Sequence, residues 1–280
     1  MRIVQISDTH ISHLGGVTSE NFERIAEFVN TALRPDLVVN SGDVSILSPD
    51  VTEDRETAAK LHQAFDAPVR VLPGNHDLGE VGEHAWMGIR VTSERIANFV
   101  STFGSDRFLE FVGDDWAIIG LNSEVLGSGL PEEADQWTWL ESVASQVEGR
   151  NLVFFLHKPF WSPAPEFTEH ALAIEPSDRD RILGLFAKST VKAVGSGHLH
   201  NYRRKVEEDI LTVWGPSSAF IVHSLPATWG GLAQIGVVEY VIEGDTIESY
   251  FRAIPTVTEE EPFEMPAFKE TMALIEAAAV

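Results

Sequence analysis

The sequence predicts an α/β protein of two sheets packed face to face with helices outside. Three observations carry that expectation. Short β-branched runs alternate with amphipathic segments through the first half, several strands follow one another near the end, and the composition is globular. Over 280 residues, 44% are hydrophobic and 22% charged, which argues against disorder, collagen-like repeats or a coiled coil. That length suits one large domain or two modest ones with a real core.

Taken in order, residues 2–7 read as a buried strand. Residues 36–40 and 69–72 read as two more, each bounded by Gly, Pro or Asp. Between them, Phe22, Ile25, Ala26, Val29 and Leu33 recur at helical spacing in 19–33, and Ala58, Leu61 and Phe65 in 51–65. Strand–helix–strand order predicts parallel pairing through crossover helices. Residues 78–106 read as a loop. Strands at 116–121 and 152–156 flank a helix at 132–147, and a proline-rich loop at 158–177 leads to a helix near 178–188. A strand at 191–194 follows, then consecutive strands at 203–207, 210–214, 233–242 and 246–252, joined in part by Glu243-Gly244-Asp245. Residues 255–280 differ: a Glu259-Glu260-Glu261 run precedes a weakly amphipathic, alanine-rich end. This reads as a surface arm, with docking or an oligomer contact as the alternative.

Charge and cysteine content narrow the chemistry. Acidic residues outnumber basic ones 43 to 20, a formal charge of −23, so nucleic acid polymers and anionic membranes should be repelled. With no cysteine there are no disulfides, thiolate nucleophiles, zinc fingers or iron–sulfur clusters. Any metal must therefore be held by His, Asp, Glu or Asn. The N-terminal apolar run meets Asp8 too soon for a signal peptide, and no stretch approaches the ~18 apolar residues of a membrane span. The expected location is the cytoplasm.

Five short motifs put metal-capable side chains directly after predicted strands. They are Asp8-Thr9-His10, Gly42-Asp43, Gly74-Asn75-His76-Asp77, His157 and Gly197-His198-Leu199-His200. In α/β sheets ligands bind beyond the carboxyl ends of the strands, so five strand ends should converge on one crevice. Asp8 and His10, like His198 and His200, are two apart, and in extended backbone both members of a pair would face one side. Gly42, Gly74 and Gly197 would let the chain turn sharply and approach a ligand closely. Each motif alone is compatible with a turn; all five in this order are not. The donor count exceeds one tetrahedral zinc but suits two borderline cations sharing a carboxylate.

This set of motifs resembles the calcineurin-like metallophosphoesterase superfamily over about residues 1–250. Within it the chain is similar in length and spacing to bacterial cyclic-nucleotide phosphodiesterases and glycerophosphodiesterases. The resemblance implies a four-layer αββα sandwich of two mixed sheets flanked by helices, with residues 1–254 as the metallophosphoesterase domain. It implies that Asp8, His10 and His200 hold one metal, that Asn75, His157 and His198 hold the other, and that Asp43 bridges them. The chain departs from many members three positions after Asp43, where Ile46 replaces a second acidic residue. It lacks the Val-Asp-Arg-Gly run of the protein Ser/Thr phosphatases and the tyrosine ligand of purple acid phosphatases. Two divalent ions (Mn, Fe or Zn) are the implied cofactors.

The expected reaction is hydrolysis of a small phosphodiester. Two cations ~3.5–4 Å apart would bind phosphoryl oxygens and lower the pKa of a coordinated water so that hydroxide exists near neutral pH. They would also invert the local charge of an acidic protein. His76 is the expected general acid, facing substrate beside its ligand neighbour Asn75, with Asp77 holding its far nitrogen. Asn75, His76 and His223 are expected to contact substrate. Lys158, Arg203 and Arg204 are further cations for phosphate. His13 and His62 read as solvated, His84 and His170 fall in the rim loops, and Trp86, Trp161, Trp214 and Trp229 could pack or stack on a base. The alternatives are a phosphomonoesterase or nucleotidase using the same metals, and a binding scaffold that has lost catalysis.

Overall fold

Side chains alternate along the strands, and that alternation builds the layers. The structure, a computed structural model, describes residues 1–46, 49–82, 85, 88–164, 172–222, 229–266, 268–269 and 272–273. The chain runs β1 (Arg2–Ile6), α1 (Val17–Phe28), β2 (Leu37–Asn40), α2 (Thr52–His62), β3 (Val69–Val71), α3 (Asn75–Leu78) and α4 (Ser93–Phe103). Then come β4 (Phe108–Val112), β5 (Trp116–Gly120), α5 (Pro131–Gln146), β6 (Asn151–Phe155), α6 (Pro176–Leu185) and β7 (Thr190–Ser196). The last strands are β8 (Arg203–Glu207), β9 (Ile210–Trp214), β10 (Gly236–Glu243) and β11 (Thr246–Ala253).

Two mixed sheets form. The first has the order β11-β10-β1-β2-β3, with β1, β2 and β3 parallel; the second has the order β4-β5-β6-β7-β9-β8, with β5, β6, β7 and β9 parallel. Between the sheets lie Ile3, Leu37, Val39, Ile118, Val153, Phe155, Val213 and Tyr240. On the other face of the first sheet, Val4, Ile6 and Val38 pack with Phe22 and Ile25 of α1, Ala58 of α2 and Phe99 of α4. On the far face of the second, Ala117, Ile119, Leu152 and Phe154 pack with Trp137 and Leu140 of α5 and Ile182 of α6. The layers are therefore helix, sheet, sheet, helix. Gln5 crosses the sheet interface: its Nε2 donates to Ser41 Oγ (2.8 Å) and the Ser196 carbonyl (2.9 Å), and its Oε1 accepts from the Tyr240 hydroxyl (2.7 Å).

Some expectations need correction. The 78–106 segment is not loop throughout, because α4 occupies its second half. The Thr92 side chain caps α4 by accepting from Arg95 N, and Ile96 and Phe99 bury against the first core. An edge strand, β4, was not among the expected strands; it pairs antiparallel with β5, and its Phe111 is exposed. His62 is buried rather than solvated. The described part of the C-terminal arm packs on its own chain: Met265 and Phe268 bury against Ile46, Ala219 and Phe220. His84, Trp86, His170 and His223 lie outside the described residues. Among the described residues, no helix is long and apolar enough to cross a membrane.

Candidate metal centre

Five parallel strands, three from the first sheet and two from the second, deliver the polar residues to one crevice. Asp8 and His10 follow β1, Asp43 follows β2, Asn75 opens α3 after β3, His157 follows β6, and His198 and His200 follow β7. Backbone hydrogen bonds tie these loops together: Asp8 N to the Gly42 carbonyl (2.9 Å), His10 N to the Asp43 carbonyl (3.0 Å) and Gly197 N to the His157 carbonyl (2.9 Å).

The local backbone differs from the extended form expected. Asp8, His10, Asp43, His198 and His200 all have left-handed φ, between 42° and 69°. Non-glycine residues adopt this region at a cost and concentrate there at functional sites. Left-handed turns, and not strand alternation, thus bring each pair inward. Of the three motif glycines, only Gly42 has positive φ, at 110°. At Gly74 a Cβ would strike the Asp43 carboxylate and backbone nitrogen, and at Gly197 it would strike the Ser7 hydroxyl. Those two positions need the space that glycine leaves.

Two groups of ligand atoms result. Asp8, His10, Asp43 and His200 form one, and Asp43, His157 and His198 form the other; within each group the atoms lie within 4.8 Å of one another. Asn75 joins the second through Oδ1, 3.1 Å from His157 Nε2. Asp43 is common to both, its Oδ2 3.2 Å from His157 Nε2 and 4.0 Å from His10 Nε2. The rings are aimed by backbone carbonyls. His10 Nδ1 meets the Ile46 carbonyl (3.1 Å) and His157 Nδ1 the Ser41 carbonyl (3.0 Å), which leaves each Nε2 to face the centre. Phe220 stacks on His10 with centroids 4.8 Å apart.

This donor set fits divalent cations. It offers nitrogen and oxygen only, and His10 Nε2 lies 3.2 Å from His200 Nε2, an approach that suits two lone pairs sharing a cation. His200 Nδ1 is buried without a hydrogen-bond partner. Electrostatics point the same way. Burial would raise the Asp43 carboxyl, but His157, His76 and His10 outweigh it and hold it well below its ordinary value. Burial would raise Asp8 too, yet His200 and His157 bring it below its usual range. His10 is lowered to about 3, first by burial and then by neighbouring His76. His157 is the exception: although burial would lower it, the carboxylates of Asp43 and Asp8 raise it to about 10. A cation bound there would release that proton.

His76 sits on the one-turn helix α3, where it diverges from Asn75. Its Nδ1 is 2.8 Å from the Ile46 carbonyl and its Nε2 3.8 Å from Asp43 Oδ2. Asp77 does not hold the His76 ring, which corrects the expected pairing. Its carboxylate instead accepts from Val44 N (3.0 Å), Ser45 N (2.9 Å) and Gly74 N (2.9 Å), bracing the Asp43 loop. Burial and the charge of Asp43 raise its pKa to about 6. The Ile46 departure also has its account here. Its side chain is buried in apolar contacts, and its carbonyl serves two imidazoles.

Other expected contacts are engaged elsewhere. Lys158 is buried between Glu124 (3.2 Å) and Glu80 (3.6 Å). Arg203 lies over the Trp214 ring, 4.4 Å from its centroid, and not among the candidate metal ligands; Arg204 pairs with Glu248 at 3.0 Å on the surface, and the His13 ring with Asp54 at 2.7 Å. Asn40, Ser41 and Phe220 support the centre without any sign in the sequence, apart from their places beside the motifs.

Comparison with known proteins agrees with this geometry. The calcineurin-like phosphoesterase family matches residues 1–202. A protein named probable glycerophosphodiester phosphodiesterase GpdQ from Arcobacter nitrofigilis is 25% identical over 265 residues, 90% of this chain and 88% of that one. The 3',5'-cyclic adenosine monophosphate phosphodiesterase CpdA of Escherichia coli K12 is 29% identical over 218 residues, 71% of this chain and 70% of its own. In fold, a dimetal phosphatase from Danio rerio superposes with a TM-score of 0.60 at 11% identity, covering 90% of this chain and 96% of the other.

Proposed function

The chain belongs to the calcineurin-like phosphoesterase family, and from that premise we propose that it is a metal-dependent hydrolase of small phosphodiesters. The observation that carries this reading is the membership of Asp43 in both ligand groups, with the His76 ring beside them. Asp8, His10, Asp43 and His200 would hold one divalent ion, and Asp43, Asn75, His157 and His198 the other. When bound, such a pair, Mn, Fe or Zn by donor chemistry, would supply positive charge to phosphoryl oxygens and acidify water.

The chain's own residues do the rest. Asp77 and the Ser41 and Ile46 carbonyls fix the ligands before substrate arrives. His76 donates a proton from Nε2 to the departing ester oxygen as the P–O bond breaks, while its Nδ1–H stays on the Ile46 carbonyl. Relatives named for a glycerophosphodiester and a cyclic nucleotide cover 90% and 71% of this chain, against 66% for a relative named as a serine/threonine-protein phosphatase, which supports a diester over a monoester.

Two measurements test this. Manganese-loaded protein should hydrolyse bis(p-nitrophenyl) phosphate faster than p-nitrophenyl phosphate; a strong monoester preference would reverse the assignment. His76→Ala should keep both metals and lower kcat about 100-fold on alkyl esters, with a smaller loss on p-nitrophenyl esters, whose leaving group needs less protonation. Equal losses on both would remove the general-acid role.

A further inference from the structure

We propose that the outer face of the second sheet carries a second binding site, for a nucleotide: a planar aromatic ring bearing a phosphate. A cavity of about 430 Å³ opens there, lined by none of the candidate metal ligands and within the size range of small-molecule sites. Its floor follows from strand alternation. The helix-side core ends at Ile210 of β9; the next outward residues, Thr212 and Trp214, and their partners Lys205 and Arg203 on β8 face the cavity instead.

The walls carry the recognition chemistry. Trp214 lies under the guanidinium of Arg203, 4.4 Å from the ring centroid, and Trp161 under that of Arg179, at 5.5 Å. The Arg203 guanidinium makes no hydrogen bond or ion pair with the described residues, so its planar fork of donors is unspent. A guanidinium beside an aromatic face offers two things at once: a surface on which a base stacks and a bidentate partner for phosphate oxygens. Three cations line the cavity of a chain whose net charge is −23; Arg179 is engaged by Asp180 and Lys205 by Glu207, which leaves Arg203 to meet an anion. The carboxylates there are Glu207, which pairs with Lys205, and Glu175. Their presence disfavours a triphosphate and leaves room for a monophosphate. Trp214 is buried and Trp161 is partly exposed, so a simple anion would leave the Trp161 indole unused, and a neutral aromatic would leave Arg203 unused.

This inference is independent of the metal chemistry. It is tested by calorimetric titration of manganese-loaded protein with adenosine 5'-monophosphate, with ribose 5-phosphate and adenosine as separate arms. The nucleotide should bind at least tenfold more tightly than either fragment. Arg203→Gln and Trp161→Ala should each weaken it at least tenfold while hydrolysis of bis(p-nitrophenyl) phosphate stays within twofold, with circular dichroism confirming that both variants fold. Affinity unchanged in both variants would place the nucleotide at the metal centre and overturn the proposal. So would ribose 5-phosphate binding as tightly as the nucleotide, or no binding at millimolar concentration.

Discussion

The metal centre and the cavity outside the second sheet are built by opposite means. At the centre the backbone itself is distorted: five candidate ligands sit at left-handed φ, and two glycines are needed because no Cβ fits. Around the cavity none of the described lining residues has positive φ, and ordinary strand alternation points Arg203, Thr212 and Trp214 outward. The first site is strained and must be held in place by its surroundings. The second draws on regular strands and α6 together with the loop residues around Trp161, none at left-handed φ. The same glycine-to-alanine change should therefore be ruinous in one region and harmless in the other.

The largest effect belongs to Gly74→Ala. The added methyl would displace the Asp43 carboxylate and backbone, and with them the one candidate ligand common to both groups. Elemental analysis of the purified variant should find less than one equivalent of manganese, and kcat should fall at least 100-fold. Gly197→Ala should behave alike through Ser7 and Asp8. Full metal content in either variant would mean that the loops relax easily, and the contrast between the regions would fail.

The same contrast explains what was legible in the sequence. Chemistry-bearing residues directly after apolar runs are visible as text, so Asp8, His10, Asp43, Asn75, His157, His198 and His200 could be named and grouped. Their backbone conformation was not legible, because an Asp or His enters the left-handed region only when tertiary contacts compel it. The partner of Asp77 was missed for a related reason. Its carboxylate accepts from backbone N–H groups 32 and 33 residues earlier, and main-chain donors leave no trace in sequence. The helix α4 was within reach, since Ile96, Phe99, Val100 and Phe103 keep helical spacing after Thr92. The short edge strand β4 was harder, being half-exposed and lacking clean alternation. The outer cavity draws on segments near 161, 179, 203 and 214, which only the fold brings together.

A middle-sized effect should separate the regions by pH. Behind the centre, His62 Nδ1 donates to the Ala58 carbonyl (2.7 Å), so its Nε2 accepts from Asn40 Nδ2 (2.9 Å). Asn40 in turn reaches Thr9 Oγ1 and receives Gly42 N, holding two ligand loops at once. Burial lowers the His62 pKa to about 4, against 6.5 ordinarily. Between those values the unfolded chain takes up the proton more readily than the folded one. The stability is therefore complete above pH 6.5 and lost as pH falls toward 4, by about 3 kcal/mol in all and about 2 kcal/mol at pH 5. Urea unfolding at pH 7 and pH 5 should show His62→Gln losing about 2 kcal/mol less than the parent chain over that interval. Equal losses would take His62 out of the support for the centre.

The smallest effect tests the other half of the comparison. Gly184 lies in the last turn of α6, the helix whose first turns line the outer cavity, with negative φ and open space where a Cβ would go. Nothing there repays the backbone entropy that glycine costs a helix, so Gly184→Ala should stabilise the fold by about 0.5 kcal/mol. The melting temperature should rise by about 1–2 °C, with diester hydrolysis and nucleotide affinity unchanged. A loss of stability instead would mean that α6 is held as tightly as the metal loops. The division between a region that constrains its backbone and one that merely decorates it would then be false.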